Sequence, residues 1–591
     1  MMIFKRSKKK PKEDEVSLLD KLDMIMHRKF GGLAKSLAEA FELKRALKAA
    51  GMTVNPEIYA TRVIYITLIV VIASIAVGVP LIITSTVMML KLMGVVIVIL
   101  MPALTFGVML ILPSNMASSR SKAIEEELPF LAAYLTTMAR GGVTPYESLI
   151  RLSEMGLFPA IRREARLILR DVRIFGLDPL TAIERNAEAH PNQTYKDFML
   201  GYVSTIRTGG DILHYLEVKT SGLFDIRATT IKNIADRVST ITEIYIALGV
   251  VMALSFYIFF SISTIMPIGG VEALANFTLF AFLGLPGISL LIMWMIHTFQ
   301  PKTIVKLNEP IKALTLSIPL AFITLLAALY FTGGLKSLLI GAIDKGAILS
   351  ICFSLTLFFI VLSIPPAIVY TSIMSGSKRL PNYVADFLRD LAEVRKTGLS
   401  PEKCIISLGK RDYGSLSKVI EGIITPLSWG LPLKRAVSSA LRKVKDWFTI
   451  AILTFLTDVI DVGGGGVHTL EALARFSSLL AGIERELKMR LRPYIFMPYF
   501  GAILTTVATL LVINFTVSTL EVTGFLERTG ISIPFIVLLF SVSIMINAWL
   551  SGLVAGKIES GFTAAGFKHA VALSSISYIA LTVTLMGATA I

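Results

Sequence analysis

Apolar blocks of about 20 residues recur nine times along this chain, and they restrict the fold more than any motif does. A helix needs about 20 apolar residues to cross ~30 Å of hydrocarbon, where every backbone amide must be bonded internally. The blocks fall near 63–83, 92–112, 244–267, 277–299, 313–331, 347–370, 494–515, 531–553 and 571–590. Composition agrees, since 54% of the 591 residues are apolar and the mean hydropathy is +0.71. The expected fold class is all-α: a polytopic membrane protein with several domains rather than one globular core.

The blocks divide the chain. Residues 1–62 form a charged N-terminal region, 63–113 a pair of spans, 114–241 a first polar module, and 242–300 a second pair. Residues 301–375 hold a loop and a third pair, 376–493 a second polar module, and 494–591 three more spans. The basic start (Lys5, Arg6, Lys8, Lys9, Lys10) runs into a mixed, charged stretch instead of an apolar core, so it does not read as a secretory signal. Leu33, Leu37, Phe41 and Leu47 recur at helical spacing before Gly51, which predicts a short amphipathic helix. That helix lies on the membrane surface or packs on the first module; the residues leave both open.

Charge sets an expected orientation. Lys and Arg number 58 against 42 Asp and Glu, a formal net charge of +16. With the N-terminus in the cytoplasm, both modules fall there. So do the loops carrying Lys302, Lys306 and Lys312 and, further on, Lys557 and Lys568. The outer loops then hold only Lys91, Lys336, Lys345 and Arg528, and the C-terminus is outside. The reverse topology would put more than 50 positive charges outside, against the bias of cytoplasmic loops toward Lys and Arg. Each half reads span, span, module, span, span, so the halves are parallel repeats, with a ninth span left over.

The modules match in detail. Leu128-Pro129-Phe130-Leu131-Ala132-Ala133-Tyr134-Leu135 answers Leu380-Pro381-Asn382-Tyr383-Val384-Ala385-Asp386-Phe387. Each continues to a glycine turn, Gly141-Gly142-Val143-Thr144-Pro145 or Gly398-Leu399-Ser400-Pro401, where Thr144 and Ser400 are N-cap residues with Pro at N1. The Pro-to-Pro distance is 16 residues in one copy and 20 in the other. Gly176-Leu177-Asp178-Pro179-Leu180 corresponds to Gly430-Leu431-Pro432-Leu433, and a later helix ends at Gly209-Gly210 or at Gly463, Gly464, Gly465 and Gly466. Period-3.6 patterning after every breaker predicts a bundle of five or six helices in each module.

Several chemistries are excluded or unsupported. No Gly-Lys is followed by Ser or Thr, so a Walker loop is missing, and the glycines read as hinges between helices: Gly141, Gly142, Gly209, Gly210 and the 463–466 run. His27, His190, His214, His297, His468 and His569 sit in unrelated contexts, and Cys352 and Cys404 have no ligand-spaced neighbour, so no cofactor, metal or catalytic set is expected. Asp458 and Asp461 share a helix face, as a cation site or an acid–base pair would, or simply as structural residues. No ionisable residue lies deep in an apolar block, which speaks against an ion-coupled transporter. The basic excess lacks the aromatic interleaving and modules of a nucleic-acid binder.

Two basic stripes are candidates for partner contact. Arg162, Arg166, Arg170 and Arg173 step along one helical face beside Arg163, and Lys434, Arg435, Arg442, Lys443 and Lys445 form a looser counterpart. Such stripes dock an acidic partner or anionic headgroups, or are solvated faces partly neutralised by Glu164 and Asp171.

The Leu-Pro opening, the Gly-x-x-Pro-type turn and the Gly-Gly before the last helix, repeated in two modules, resemble the type II secretion system F domain. Two such domains in a nine-span chain resemble archaeal type IV pilus and archaellum assembly platform proteins. The resemblance implies a non-enzymatic membrane platform, acting as a homodimer among membrane lipids. A hexameric secretion ATPase would engage its cytoplasmic modules, and pilin- or archaellin-like subunits would be inserted into a filament. The long glycine run departs from a simple Gly-Gly. The permease of an ATP-driven exporter is the competing reading, although modules this size exceed what coupling helices require; a membrane scaffold or sensor without a motor is a third.

Overall fold

A computed structural model describes residues 18–52, 54–84, 88–265, 270–300, 308–341, 343–377, 379–442, 444–523 and 533–587. Lys443, Lys302, Lys306, Arg528 and the basic residues 5–10 lie outside them. Every regular element among the described residues is helical, and nine helices are long and apolar enough to cross a membrane, one for each apolar block. The chain is therefore an all-α, multi-pass membrane protein. It divides into two compact units, residues 1–139 with 143–220, and residues 221–591 with 140–142.

The first unit begins with α1 (Leu18–Ala40) and α2 (Leu43–Ala50), two helices where the spacing predicts one. Glu42 separates them in a left-handed conformation, φ 45°. The buried face is also a different one: Leu33 and Phe41 are exposed, while Ala34, Ala38, Leu43 and Leu47 are buried against Tyr59, Ala60 and Val63. Those three belong to α3 (Pro56–Thr84), the first span, and Arg62 Nε donates to Asp23 Oδ2 at 2.8 Å across the same contact. α2 also touches the module, because Arg120 Nη1 donates to the Ala49 carbonyl at 3.0 Å.

α4 (Met88–Arg140) is a span and the first module helix in one piece, 53 residues or roughly 80 Å at 1.5 Å per residue. It passes through Pro129 without ending. The Leu-Pro pair therefore does not open a helix in the first copy. Burial explains this, since residues 128–138 pack on every side of the bundle and hold the helix despite the missing amide. Its packing with α3 relies on small residues: a Cβ on Gly78 would lie 2.8 Å from the Gly94 carbonyl oxygen. α5 (Pro145–Glu154), α6 (Pro159–Phe175), α7 (Pro179–Ala189), α8 (Gln193–Arg207) and the start of α9 (Ile212–Ile246) complete a six-helix module. Thr144 Oγ1 caps α5 by accepting from Glu147 N at 3.3 Å, and Asp178 Oδ2 caps α7 by accepting from Leu180 N at 3.1 Å.

In the second unit α9 continues through a π-helical turn (Ala247–Val251) into α10 (Met252–Ile265), so the last module helix is also a membrane helix. α11 (Gly270–Leu279), α12 (Leu285–Phe299), α13 (Glu309–Phe331), α14 (Gly334–Ile340) and α15 (Lys345–Ser377) follow. The second module comprises α16 (Leu380–Arg395), α17 (Pro401–Leu408), α18 (Ser417–Ser428), α19 (Leu433–Leu441), α20 (Trp447–Asp461) and α21 (Val467–Leu491). Here Leu380-Pro381 does start a helix, after Arg379 in a left-handed conformation, φ 63°. The first module helix runs 11 residues past Pro129 and 14 past Pro381, and the following turn is one residue longer in the second copy. Those four residues account for the 16-against-20 spacing.

α21 turns through a short 3₁₀ segment (Arg492–Ile495) into α22 (Phe496–Thr523), and α23 (Ile533–Ser560) and α24 (Gly566–Gly587) close the chain. α23 is the most buried span, and its Phe540 meets the rings of Tyr257 and Phe277 in tilted contacts with centroids 5.4 and 4.5 Å away. It meets α24 at bare backbone: a Cβ on Gly556 would lie 2.0 Å from Gly566 N, and one on Gly552 2.3 Å from Ala570 Cα. Polar side chains pair across the spans, Tyr257 Oη with Ser543 Oγ at 2.8 Å and Trp549 Nε1 with Ser363 Oγ at 2.9 Å, as hydrocarbon demands.

Candidate docking surfaces of the two modules

What aims the first basic stripe outward is a buried polar network behind it. Glu164 falls on the apolar face of α6 with Ile161, Ala165 and Ile168 and is only 3% exposed. Arg120 Nε donates to Glu164 Oε1 at 2.8 Å, Asn186 Nδ2 donates to Oε2 at 3.0 Å, and Tyr195 Oη donates to Asn186 Oδ1 at 2.9 Å. Four helices, α4, α6, α7 and α8, are joined by these bonds. Burial alone would raise the Glu164 carboxyl, but the Arg120 guanidinium and its hydrogen bonds hold it below the usual range. His190 Nδ1 accepts from Asn192 N at 3.1 Å, which leaves the proton of the neutral ring on Nε2, 3.8 Å from Glu164 Oε1. Burial pushes that imidazole down to about 4, against the pull of Glu164.

Of the two carboxylates that the solvated-face alternative set against the stripe, Glu164 therefore does not neutralise it, whereas Asp171 pairs with Arg170. Its position in the apolar period 161, 165, 168 was the sign of burial. Glu127 of α4 adds a second brace, accepting from Ile161 N at 2.8 Å and Ala160 N at 3.2 Å at the start of α6, where Phe158 supplies no side-chain cap.

The stripe itself is partly consumed inside the module. Arg162 Nε and Arg166 Nε both donate to the Ser153 carbonyl, at 3.1 and 3.2 Å, closing the end of α5. Arg170 Nη2 donates to Asp171 Oδ1 at 2.8 Å, and its guanidinium lies 5.7 Å from the Phe175 ring centre. Arg163 and Arg173 stay exposed. In the second copy Lys434 approaches Asp458 Oδ1 at 3.9 Å and Lys445 pairs with Glu309 Oε1 at 2.8 Å, while Arg435 and Arg442 are exposed. These four lie at the two ends of α19 and in the following linker.

An exposed aromatic that the charge pattern did not reveal lies close in sequence to each basic group, and in the first copy it touches Arg170. Phe175 is 60% exposed and precedes Gly176, φ 66°; Trp429 is 77% exposed and precedes Gly430, φ 79°. A repeated aromatic-Gly-Leu before a proline was the available signal. Large, exposed aromatics next to Arg match the anchor residues of protein interfaces.

Of the glycines, Gly142, Gly209 and Gly463 adopt positive φ, 76°, 70° and 88°, whereas Gly141, Gly210, Gly464, Gly465 and Gly466 do not. The longer run is a pinned turn: Arg395 Nε donates to the Gly465 carbonyl at 2.8 Å, and Gly464 N donates to the Val459 carbonyl at 2.9 Å. No group of three or more His, Cys, Asp or Glu among the described residues is arranged to hold a metal, and Asp458 lies against Lys434.

The class defined by these features is a multi-pass helical membrane protein built on a duplicated helical module whose end helices continue into the membrane. The chain carries two copies of the type II secretion system protein F domain, matched at residues 131–260 and 387–513. Each matched segment takes in most of a module together with the span after it. The family comprises non-enzymatic membrane platform components of type II secretion and type IV pilus-like systems. The chain is 22% identical over 492 residues to the uncharacterized protein MJ1286 of Methanocaldococcus jannaschii, covering 79% of this chain and 81% of that protein. No solved structure matches it.

Proposed function

We propose that this protein is the membrane platform of a filament-assembly machine of the archaellum or archaeal pilus type. In this reading both modules lie in the cytoplasm and engage a hexameric secretion ATPase. The chain performs no catalysis of its own, and pilin-like subunits pass from the membrane into the filament at its spans. The observation that carries it is mechanical. In both copies of the F domain the helices at the module's ends lead into spans, through α4, α9–α10 and α21–α22, so a displacement of the module reaches the membrane along helix. Left-handed turns at Gly142, Gly209 and Gly463 supply the joints between helices.

The docking elements are Phe175 with Arg163 and Arg173, and Trp429 with Arg435 and Arg442. Their charge and aromatic character suit an acidic protein surface with an apolar pocket. The test is capture of candidate ATPases by the solubilised full-length chain, working as a homodimer. Phe175→Ala with Arg173→Glu, or Trp429→Ala with Arg435→Glu, should weaken capture of a hexameric secretion ATPase by roughly thirtyfold, the loss of one anchor of ~2 kcal/mol. Undiminished capture by both variants, or binding only to a dimeric exporter ATPase, overturns the assignment.

A further inference from the structure

A cavity of about 540 Å³ opens between the start of α16 and the end of α21, lined among others by Arg379, Glu484, Arg485, Lys488 and Arg492. Four of those five side chains are cationic. None of the four lies within 4 Å of a carboxylate in an ion pair among the described residues. Arg485 Nη2 donates instead to the neutral Asn382 Oδ1 at 2.7 Å, which ties the two walls together and fixes its guanidinium. Arg379 enters the wall from a left-handed backbone, one of two non-glycine residues with positive φ among those described. Such strain persists only where surrounding structure holds it and is concentrated at functional positions.

The location narrows the ligand. Both walls stand where a membrane span gives way to the module, α15 into α16 and α21 into α22. Phe496 and Phe500, exposed at 69% and 61%, lie on the first turns of the apolar helix α22, and Lys488 is roughly 12 Å before Phe496 along the chain. Long cationic side chains at that depth reach the headgroup layer. In the first copy Glu127 occupies the place of Arg379 ahead of the Leu-Pro pair and is buried against α6.

We propose that this cavity binds a phosphate-bearing anion at the membrane surface, the headgroup of an acidic phospholipid. The phosphate would sit among Arg379, Lys488 and Arg492, with Arg485 presented by Asn382. Glu484, one turn before Lys488, is pushed up to about 7 by burial; in its ionised form, which dominates above that pH, it opposes the anion, so the Glu484→Gln comparison is made at pH 8.

Native mass spectrometry of the full-length protein in mixed micelles, titrated with phosphatidylglycerol, reads this directly. The wild-type chain should show saturable binding that survives millimolar inorganic phosphate. An Arg379→Gln, Lys488→Gln, Arg492→Gln variant should bind on the order of a hundredfold more weakly, at roughly fivefold per cation lost. Glu484→Gln should bind several-fold more tightly, and Lys403→Gln, on another helix of the module, should leave binding unchanged. Equal affinity in the triple variant with an unaltered melting temperature overturns the proposal. Displacement of the lipid by inorganic phosphate reassigns the site to a soluble anion and removes the lipid. If the triple variant fails to fold, Glu484→Gln decides, and no tightening counts against the site.

Discussion

At the scale of single residues, the Arg120–Glu164–His190 network sets how the first module answers acid. The folded imidazole is held at about 4 against an ordinary 6.5, so between those values the unfolded chain binds a proton that the folded chain does not. The stability it contributes is complete above pH 6.5 and is lost progressively as the pH falls toward 4, on the order of 3 kcal/mol. Glu164, held below 4.5, adds a loss of the same sign at still lower pH. Glu127, which burial pushes up to about 7, gains stability over an overlapping range as the pH falls, so His190 is read by difference: lowering the pH from 6.5 to 4 should destabilise the wild-type chain more than His190→Gln, and an equal pH response in the two contradicts the assignment. Arg120→Ala should be far more damaging, by about 3–5 kcal/mol, because it strands a buried carboxylate. Glu164→Gln, which leaves no buried negative charge, should cost less in the same thermal measurement.

At the scale of elements, capping and close approach make separate predictions. Thr144→Ala and Ser400→Ala each remove a side-chain cap, accepting from Glu147 N and Lys403 N, and should each cost about 1 kcal/mol in unfolding experiments. Gly556→Val drives side-chain atoms into the backbone of α24 and should cost about 3 kcal/mol, whereas Gly222→Ala in α9, with open space around it, should be neutral or slightly stabilising. The caps were legible in the sequence because Thr-Pro and Ser-Pro declare helix starts locally. The spans were legible because hydrocarbon sets their length. The continuity of α4 through Pro129 was not, since it depends on packing around residues 128–138 rather than on the proline. The break at Glu42 was hidden for the same reason, and so was the inward turn of Glu164, where tertiary partners outweigh the ordinary preference of a carboxylate for water.

At the scale of the whole molecule, orientation can be checked through cysteine, because both native thiols, Cys352 and Cys404, are buried. Ser438→Cys on the exposed side of the second module should react with a membrane-impermeant maleimide only after the membrane is opened, and Lys336→Cys should react in intact cells. Labelling in the opposite order would invert the topology and remove the cytoplasmic docking surfaces with it. The two copies, alike in pattern, also differ in compliance. In the first, the span and the opening helix of the module are one rod, so moving that module means bending or tilting α4 as a whole. In the second, the same junction turns a corner at Arg379, held in a left-handed conformation and braced where Arg485 bonds Asn382, so α15 and α16 are separate helices. An equal push on both modules thus enters the bilayer along one rod in the first copy and around a corner in the second.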